Sequence, residues 1–197
     1  MDAITPWVAL QTEPKSEKKV KTLLIQRGYT CLLPTYRQKR RWSDRVVTVE
    51  KPLFPMYVFC QYTSSALGKA VSTPGVSRIV GFGRQPAEIP QDEIEALQLL
   101  DKSSLLREPW AYIPNGTLVQ VETGPLSGAR GVICSGEDKH RLVISVTLLQ
   151  RSVVVQLDEN TVLSVIEEPK NGEVSLTDES GFALRLMKGI INDTSLG

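Results

Sequence analysis

Residues 116–133 read Gly116-Thr-Leu-Val-Gln-Val-Glu-Thr-Gly124-Pro125-Leu-Ser-Gly128-Ala-Arg-Gly131-Val-Ile133. Two β-branched, aliphatic runs flank a Gly-Pro-Leu-Ser-Gly corner. Gly124 and Gly128 can take a positive φ, and Pro125 fixes one bend. Gly131 starts the second run where two backbones can approach closely. The spacing predicts strand, tight corner, strand. No helical period follows. Thr117–Glu122, Arg130–Cys134, Arg141–Val146, Ser152–Leu157 and Val162–Ile166 are strand-like, separated by turn signals such as Ser127-Gly128 and Gly136 to Lys139. Short strands packed this densely predict a small closed barrel over 115–167, because closure removes exposed sheet edges. Val143, Ile144, Val146, Val153, Val154 and Val155 favour strands strongly enough to predict a permanent barrel.

Upstream, Arg107 to Pro114 contains two prolines and no periodicity, so 109–114 is the expected linker. The first half, 5–108, alternates differently. Trp7–Thr12 is a short buried strand. Val20, Leu23, Leu24 and Arg27 lie at helical spacing, with Gly28 placed to end the helix. Cys31–Tyr36 and Arg45–Glu50 are strands enclosing an exposed hairpin tip, and a further strand follows Pro55. Ser64 to Val71 predicts a short helix and Gly75–Val80 a strand. Ile89-Pro90 leads into a helix with Asp92 and Glu93 at its positive end and a stripe of Ile94, Leu97 and Leu100. This order predicts an α+β domain with a mainly antiparallel sheet. The tail from 168 onward is acidic and patchy, with at most a short helix over Phe182–Ile191.

The chain has 197 residues, 41% hydrophobic and 23% charged, as expected of a packed globular protein with one large or two small domains. Its net charge of +1 hides an asymmetry: residues 1–110 carry 16 Lys+Arg against 11 Asp+Glu, and residues 111–197 carry 7 against 11. The positive charge concentrates in Arg37, Lys39, Arg40, Arg41, Arg45 and Lys51, a run that can contact phosphates, with Trp42 able to stack on a base. The same run also suits a solvated hairpin tip. No stretch is long and apolar enough to span a membrane, and the N-terminus does not read as a signal peptide, so a cytoplasmic protein is expected. Cys31, Cys60 and Cys134 are odd in number, far apart and without a CxxC. They predict buried thiols in a reducing compartment rather than disulfides or zinc. With His140 as the single histidine, multi-histidine metal sites are excluded, and no catalytic constellation is evident; neither cofactor nor enzymatic activity is expected.

The corner motif around Gly116, Gly124, Pro125, Gly128 and Gly131 resembles the KOW motif of NusG-type transcription factors. In the first half, Trp7-Val-Ala-Leu-Gln-Thr12, the Lys-rich helix, Pro52-Leu-Phe-Pro-Met-Tyr-Val-Phe59 and Pro74-Gly-Val-Ser-Arg-Ile-Val80 follow the order of the NusG N-terminal (NGN) domain. The resemblance covers about residues 5–166. Pro52–Pro55 and Phe82–Pro90 look closer to the specialised RfaH and UpxY-type antiterminators. The family likeness implies an NGN domain that docks on the RNA polymerase clamp helices through Trp7, Phe54, Pro55 and Tyr57 and promotes processive transcription or antitermination. On that reading Phe54→Ala weakens polymerase binding without unfolding the domain. It implies transient contact with DNA or nascent RNA through Lys15, Lys18, Lys19, Arg40, Arg41 and Arg45. It also implies an SH3-like KOW barrel that recruits a second partner, such as ribosomal protein S10 or Rho, through Leu148, Leu149 and Arg151. A bacterial, monomeric, nucleoid-associated factor follows. Two positions depart from the pattern: Met56 stands where the family has Gly or Asn, and Leu149 where an aromatic commonly faces S10. A KOW module binding RNA or the ribosome is the alternative, but residues 114–166 hold 4 basic and 5 acidic residues, which disfavours phosphate binding by the barrel.

Overall fold

The computed structural model describes residues 5–41, 44–62, 67–83, 85–113, 116–133 and 141–167. Trp42, Cys134, His140 and the tail beyond residue 167, with its expected short helix, lie outside them. The first half runs β1 (Trp7–Thr12), α1 (Glu17–Gln26), β2 (Cys31–Leu32), β3 (Thr35–Arg41), β4 (Val46–Pro52), β5 (Tyr57–Gln61), α2 (Leu67–Val71), β6 (Val76–Ile79), β7 (Gly81–Phe82), β8 (Gln85–Pro86), β9 (Glu88–Ile89) and α3 (Gln91–Lys102). Its antiparallel sheet has the order β2-β5-β1-β6, with β9 beside β6 on the same edge of β1. β3 and β4 form a separate hairpin in register from Thr35–Pro52 to Arg41–Val46.

The period of two along β1 and β5 builds two cores. Leu10, Val58 and Cys60 face α1 and α2 through Val20, Leu24 and Ala70. Trp7, Ala9 and Phe59 face the other side, where α3 lays down Ile94, Leu97 and Leu100. The apolar stripe expected on that helix is its buried face. Gly28 sits at φ +87° just beyond α1, as its expected role in ending the helix requires.

The second half is all β: β10 (Arg107–Trp110), β11 (Thr117–Val121), β12 (Arg130–Ile133), β13 (Arg141–Val146), β14 (Arg151–Gln156) and β15 (Leu163–Glu167). The five strands read from sequence are present within a residue or two of their expected ends. Gly124 and Gly128 sit at φ +86° and +88°. A Cβ on Gly131 would lie 2.7 Å from the Val143 carbonyl oxygen, so this position demands glycine.

Two expectations change. The sheet has six strands rather than five, in the order β10-β14-β13-β12-β11-β15. The extra strand is Arg107–Trp110, which overlaps the expected linker. Pro109 is tolerated there because β10 is an edge strand and the proline nitrogen has no ladder bond to make. The connection between the halves is therefore 103–106. Arg107 anchors its far end: Nε donates to the Thr35 carbonyl at 2.8 Å, and Nη1 donates to the carbonyls of Leu100 and Ser103, closing the C-terminal turn of α3.

Candidate functional site

The loop from Leu53 to Tyr57 links the basic hairpin to the central strand β5. Pro52 precedes it and Pro55 stands at its centre. Leu53 and Phe54 turn inward; Phe54 is fully buried and packs edge-on against Phe59, ring centroids 5.3 Å apart. Pro55 is exposed and Tyr57 half-buried. Met56 between them has φ +69°, the left-handed region. Gly or Asn would tolerate that conformation better. The strained residue is held from both sides: its N–H donates to Oε1 of Glu17 at 2.8 Å, and its carbonyl accepts the Thr12 N–H at 2.8 Å. Glu17, a carboxylate buried at the start of α1, thereby fixes the loop.

The second sheet lies over this loop. Arg151, at the start of β14, places its guanidinium carbon 5.2 Å from the centre of the Tyr57 ring and donates from Nη1 to the Pro55 carbonyl at 3.2 Å. Glu93 on α3 accepts the Thr147 N–H on both carboxylate oxygens, at 3.3 and 3.2 Å. Burial lifts the Glu93 carboxyl above the usual carboxylate range, against the lowering effect of the Thr147 donors. Leu148 and Leu149, in a 3-10 turn after β13, pack half-buried against the apolar cluster that runs from Phe54 and α3 into Ile144 and Val146.

The structure thus brings together two groups of residues that the sequence assigned to different partners. Pro55 and Tyr57 meet Arg151, with Leu148 and Leu149 on the same seam. With the second sheet over the loop, Trp7 and Phe54 are only 3% and 0% exposed, so in this closed arrangement neither ring is open to a partner. Truncating Phe54 would also remove its edge-on packing against Phe59. Glu93 and Thr147 escaped sequence reading because an acid at a helix start already has a local explanation.

The basic residues fall into two groups. Along β3, Arg37, Lys39 and Arg41 share one face with Thr48 and Glu50, while Arg40 points to the other with Val47 and Val49. The whole strip is exposed from Arg37 to Arg41, as are Lys15, Lys19 and Arg45. Lys18 is engaged: its Nζ lies 2.6 Å from Oε2 of Glu50, whose carboxyl is held below its ordinary range by Lys18 and by the Thr35 hydroxyl. A cleft of about 730 Å³ between α1, β3 and the 103–106 connection carries Lys18, Lys21, Arg37, Lys102 and Arg107 against Glu50 and Asp101. Arg37 and Lys39 belong to the charged run but not to the residues that the family resemblance assigns to nucleic acid. Their shared face with Arg41 follows only from the hairpin register.

Residues 5–98 match the family model described as transcription termination factor nusG. Among solved structures, one described as domain interaction in Thermotoga maritima NusG aligns over 77% of this chain and 93% of its own, at 22% identity and a TM-score of 0.42. The MjSpt4:Spt5 complex, conformation A, aligns over 82% of this chain and 99% of its own, at 17% identity and a TM-score of 0.28. Over residues 5–98, which run from β1 through most of α3, this chain carries a domain that matches the NusG family.

Proposed function

We propose that this protein is a transcription elongation factor of the antiterminating kind, binding the RNA polymerase clamp helices through the Pro55–Tyr57 loop and keeping transcription processive. The observation that carries this reading is the loop itself. A rigid turn, strained at Met56 and held by Glu17, presents Pro55 and one side of Tyr57 over a buried Phe54–Phe59 pair. A preorganised aromatic edge of this kind suits a protein interface better than a solvated loop does. Trp7 and Phe54 support it from beneath. The exposed Arg37, Lys39, Arg40, Arg41 and Arg45, with Lys15 and Lys19, supply a salt-dependent contact to DNA or nascent RNA beside the polymerase. Leu148, Leu149 and Arg151 form the surface for a second partner, ribosomal protein S10 or Rho.

Those two surfaces cover each other in the closed arrangement, so polymerase binding requires the second sheet to leave the loop. Full-length protein titrated against core RNA polymerase tests this. Tyr57→Ala is expected to weaken binding by about 1–3 kcal/mol while the domain stays folded by circular dichroism. Arg151→Ala is expected to tighten it severalfold by freeing the loop. If neither the native protein nor Arg151→Ala binds polymerase while both stay folded, the reading is wrong.

A further inference from the structure

β2 and β5 place two cysteines directly opposite each other. Cys31 pairs with Cys60 in register, so both side chains leave the same face of the sheet, the one covered by α1. The ladder also fixes which kind of pair this is. The Gln61 N–H donates to the Thr30 carbonyl at 2.9 Å, one residue outside the pair, which makes Cys31 and Cys60 a non-hydrogen-bonded pair. Such pairs have Cα atoms about 4.5 Å apart and the closest cross-strand side chains. A disulfide needs Cα atoms roughly 4.4–6.8 Å apart, so the backbone already lies inside the required window. The Cys60 thiol donates to the Gln61 carbonyl at 3.5 Å.

The pair is asymmetric. Cys31 is half-buried on the edge strand and Cys60 fully buried. Contact with Cys60 and the nearby Lys21 ammonium draw the Cys31 thiol towards the thiolate, against burial, whereas Cys60 is pushed up by Cys31 and by burial. One sulfur is therefore open to attack chemistry from solvent, and the other is reachable only through it.

We infer that Cys31 and Cys60 are a reversible modification site, a cross-strand dithiol that closes to a disulfide on reaction with oxidants of the small-molecule disulfide class, such as oxidised glutathione. The Cys31 thiolate attacks one sulfur of the small disulfide. That S–S bond breaks, a small thiol leaves with a proton from solvent, and Cys31 carries the mixed disulfide. Cys60 then loses its proton and attacks the Cys31 sulfur, expelling the second small thiol. Two protein thiols are oxidised by two electrons, and one small disulfide is reduced to two thiols. The loop so closed, 31–60, contains the basic hairpin and the Pro55–Tyr57 loop, so oxidation ties both to β5.

The test uses the full-length protein in glutathione buffers of graded redox poise, quenched in acid, alkylated and mapped by mass spectrometry. The expected product is a peptide pair joined at Cys31 and Cys60, two hydrogens lighter than the reduced pair and restored by dithiothreitol. It forms at least about tenfold faster in the native protein than in urea, because the fold holds the sulfurs together. Cys60→Ser is expected to stop at a glutathione adduct on Cys31, and Cys31→Ser to leave Cys60 unmodified. The oxidised native protein is expected to melt several degrees above the reduced one. Free thiols at both positions across the whole range, a bond to Cys134 instead, or linkage no faster in the native protein than in urea would each overturn the assignment. These readouts need no polymerase, so they stand apart from the proposed function.

Discussion

Met56 shows how one residue can carry strain that its neighbours contain. A non-glycine side chain at φ +69° costs about 1–2 kcal/mol. Met56→Gly is therefore expected to raise stability by up to about 1 kcal/mol, after allowing for the greater freedom glycine gives the unfolded chain, measured by chemical denaturation. Glu17→Ala is expected to do the opposite, by about 1–3 kcal/mol, because it leaves the Met56 N–H without its buried acceptor. The sequence flagged Met56 as a departure from the family pattern but carried no sign of its strain. That strain lies in a torsion angle and is contained by a carboxylate 39 positions away, neither of which has a local signature.

The elements divide into those written locally and those set by contacts. The corner between β11 and β12 was legible because glycines at positive φ and a proline are local requirements, and both stand where the turn needs them. α3 was legible from its stripe. β10 was not, because a four-residue strand with a central proline has neither alternation nor β-branched content and exists only because β14 offers it an edge. The Cys31–Cys60 juxtaposition was hidden for a related reason: spacing along the chain says nothing about register across it, and the residues expected as ordinary buried thiols became a pair. Two further tests belong to elements. Gly131→Ala is expected to destabilise the second sheet by about 1–3 kcal/mol or more, since the added carbon would meet the Val143 carbonyl and push β12 off β13, visible as a loss of thermal stability. On the hairpin, Arg37→Ala, Lys39→Ala and Arg41→Ala together are expected to flatten the salt dependence of the proposed nucleic-acid binding by about one unit of slope per cation.

For the molecule as a whole, the joint between the two halves holds a titrating group. Glu93 is raised by burial in the closed arrangement, so that arrangement binds a proton more readily than the open or unfolded chain. The resulting stabilisation is fully present below the ordinary carboxylate range and is lost as pH rises through the higher closed-state value. Small-angle scattering across that window is expected to give a radius of gyration that grows with pH, and Glu93→Gln, which still accepts the Thr147 N–H without a charge to desolvate, is expected to remove the trend. The docking itself was invisible in the sequence because each contributor had a sufficient role alone: Glu93 at a helix start, Arg151 and Leu149 facing a distant partner.

The connection at 103–106 sets how this joint behaves once opened. Between the last residue of α3 and the first of β10, the chain can reach at most about 18 Å. A domain on so short a leash does not diffuse away. It remains at an effective concentration in the millimolar range beside the loop it has just uncovered. Anything that takes the Pro55–Tyr57 loop competes against an inhibitor that is always present and never diluted. On the proposed function, a second partner bound to the β-rich half would act as a sponge, tightening the first interaction by occupying the competitor and without touching the loop.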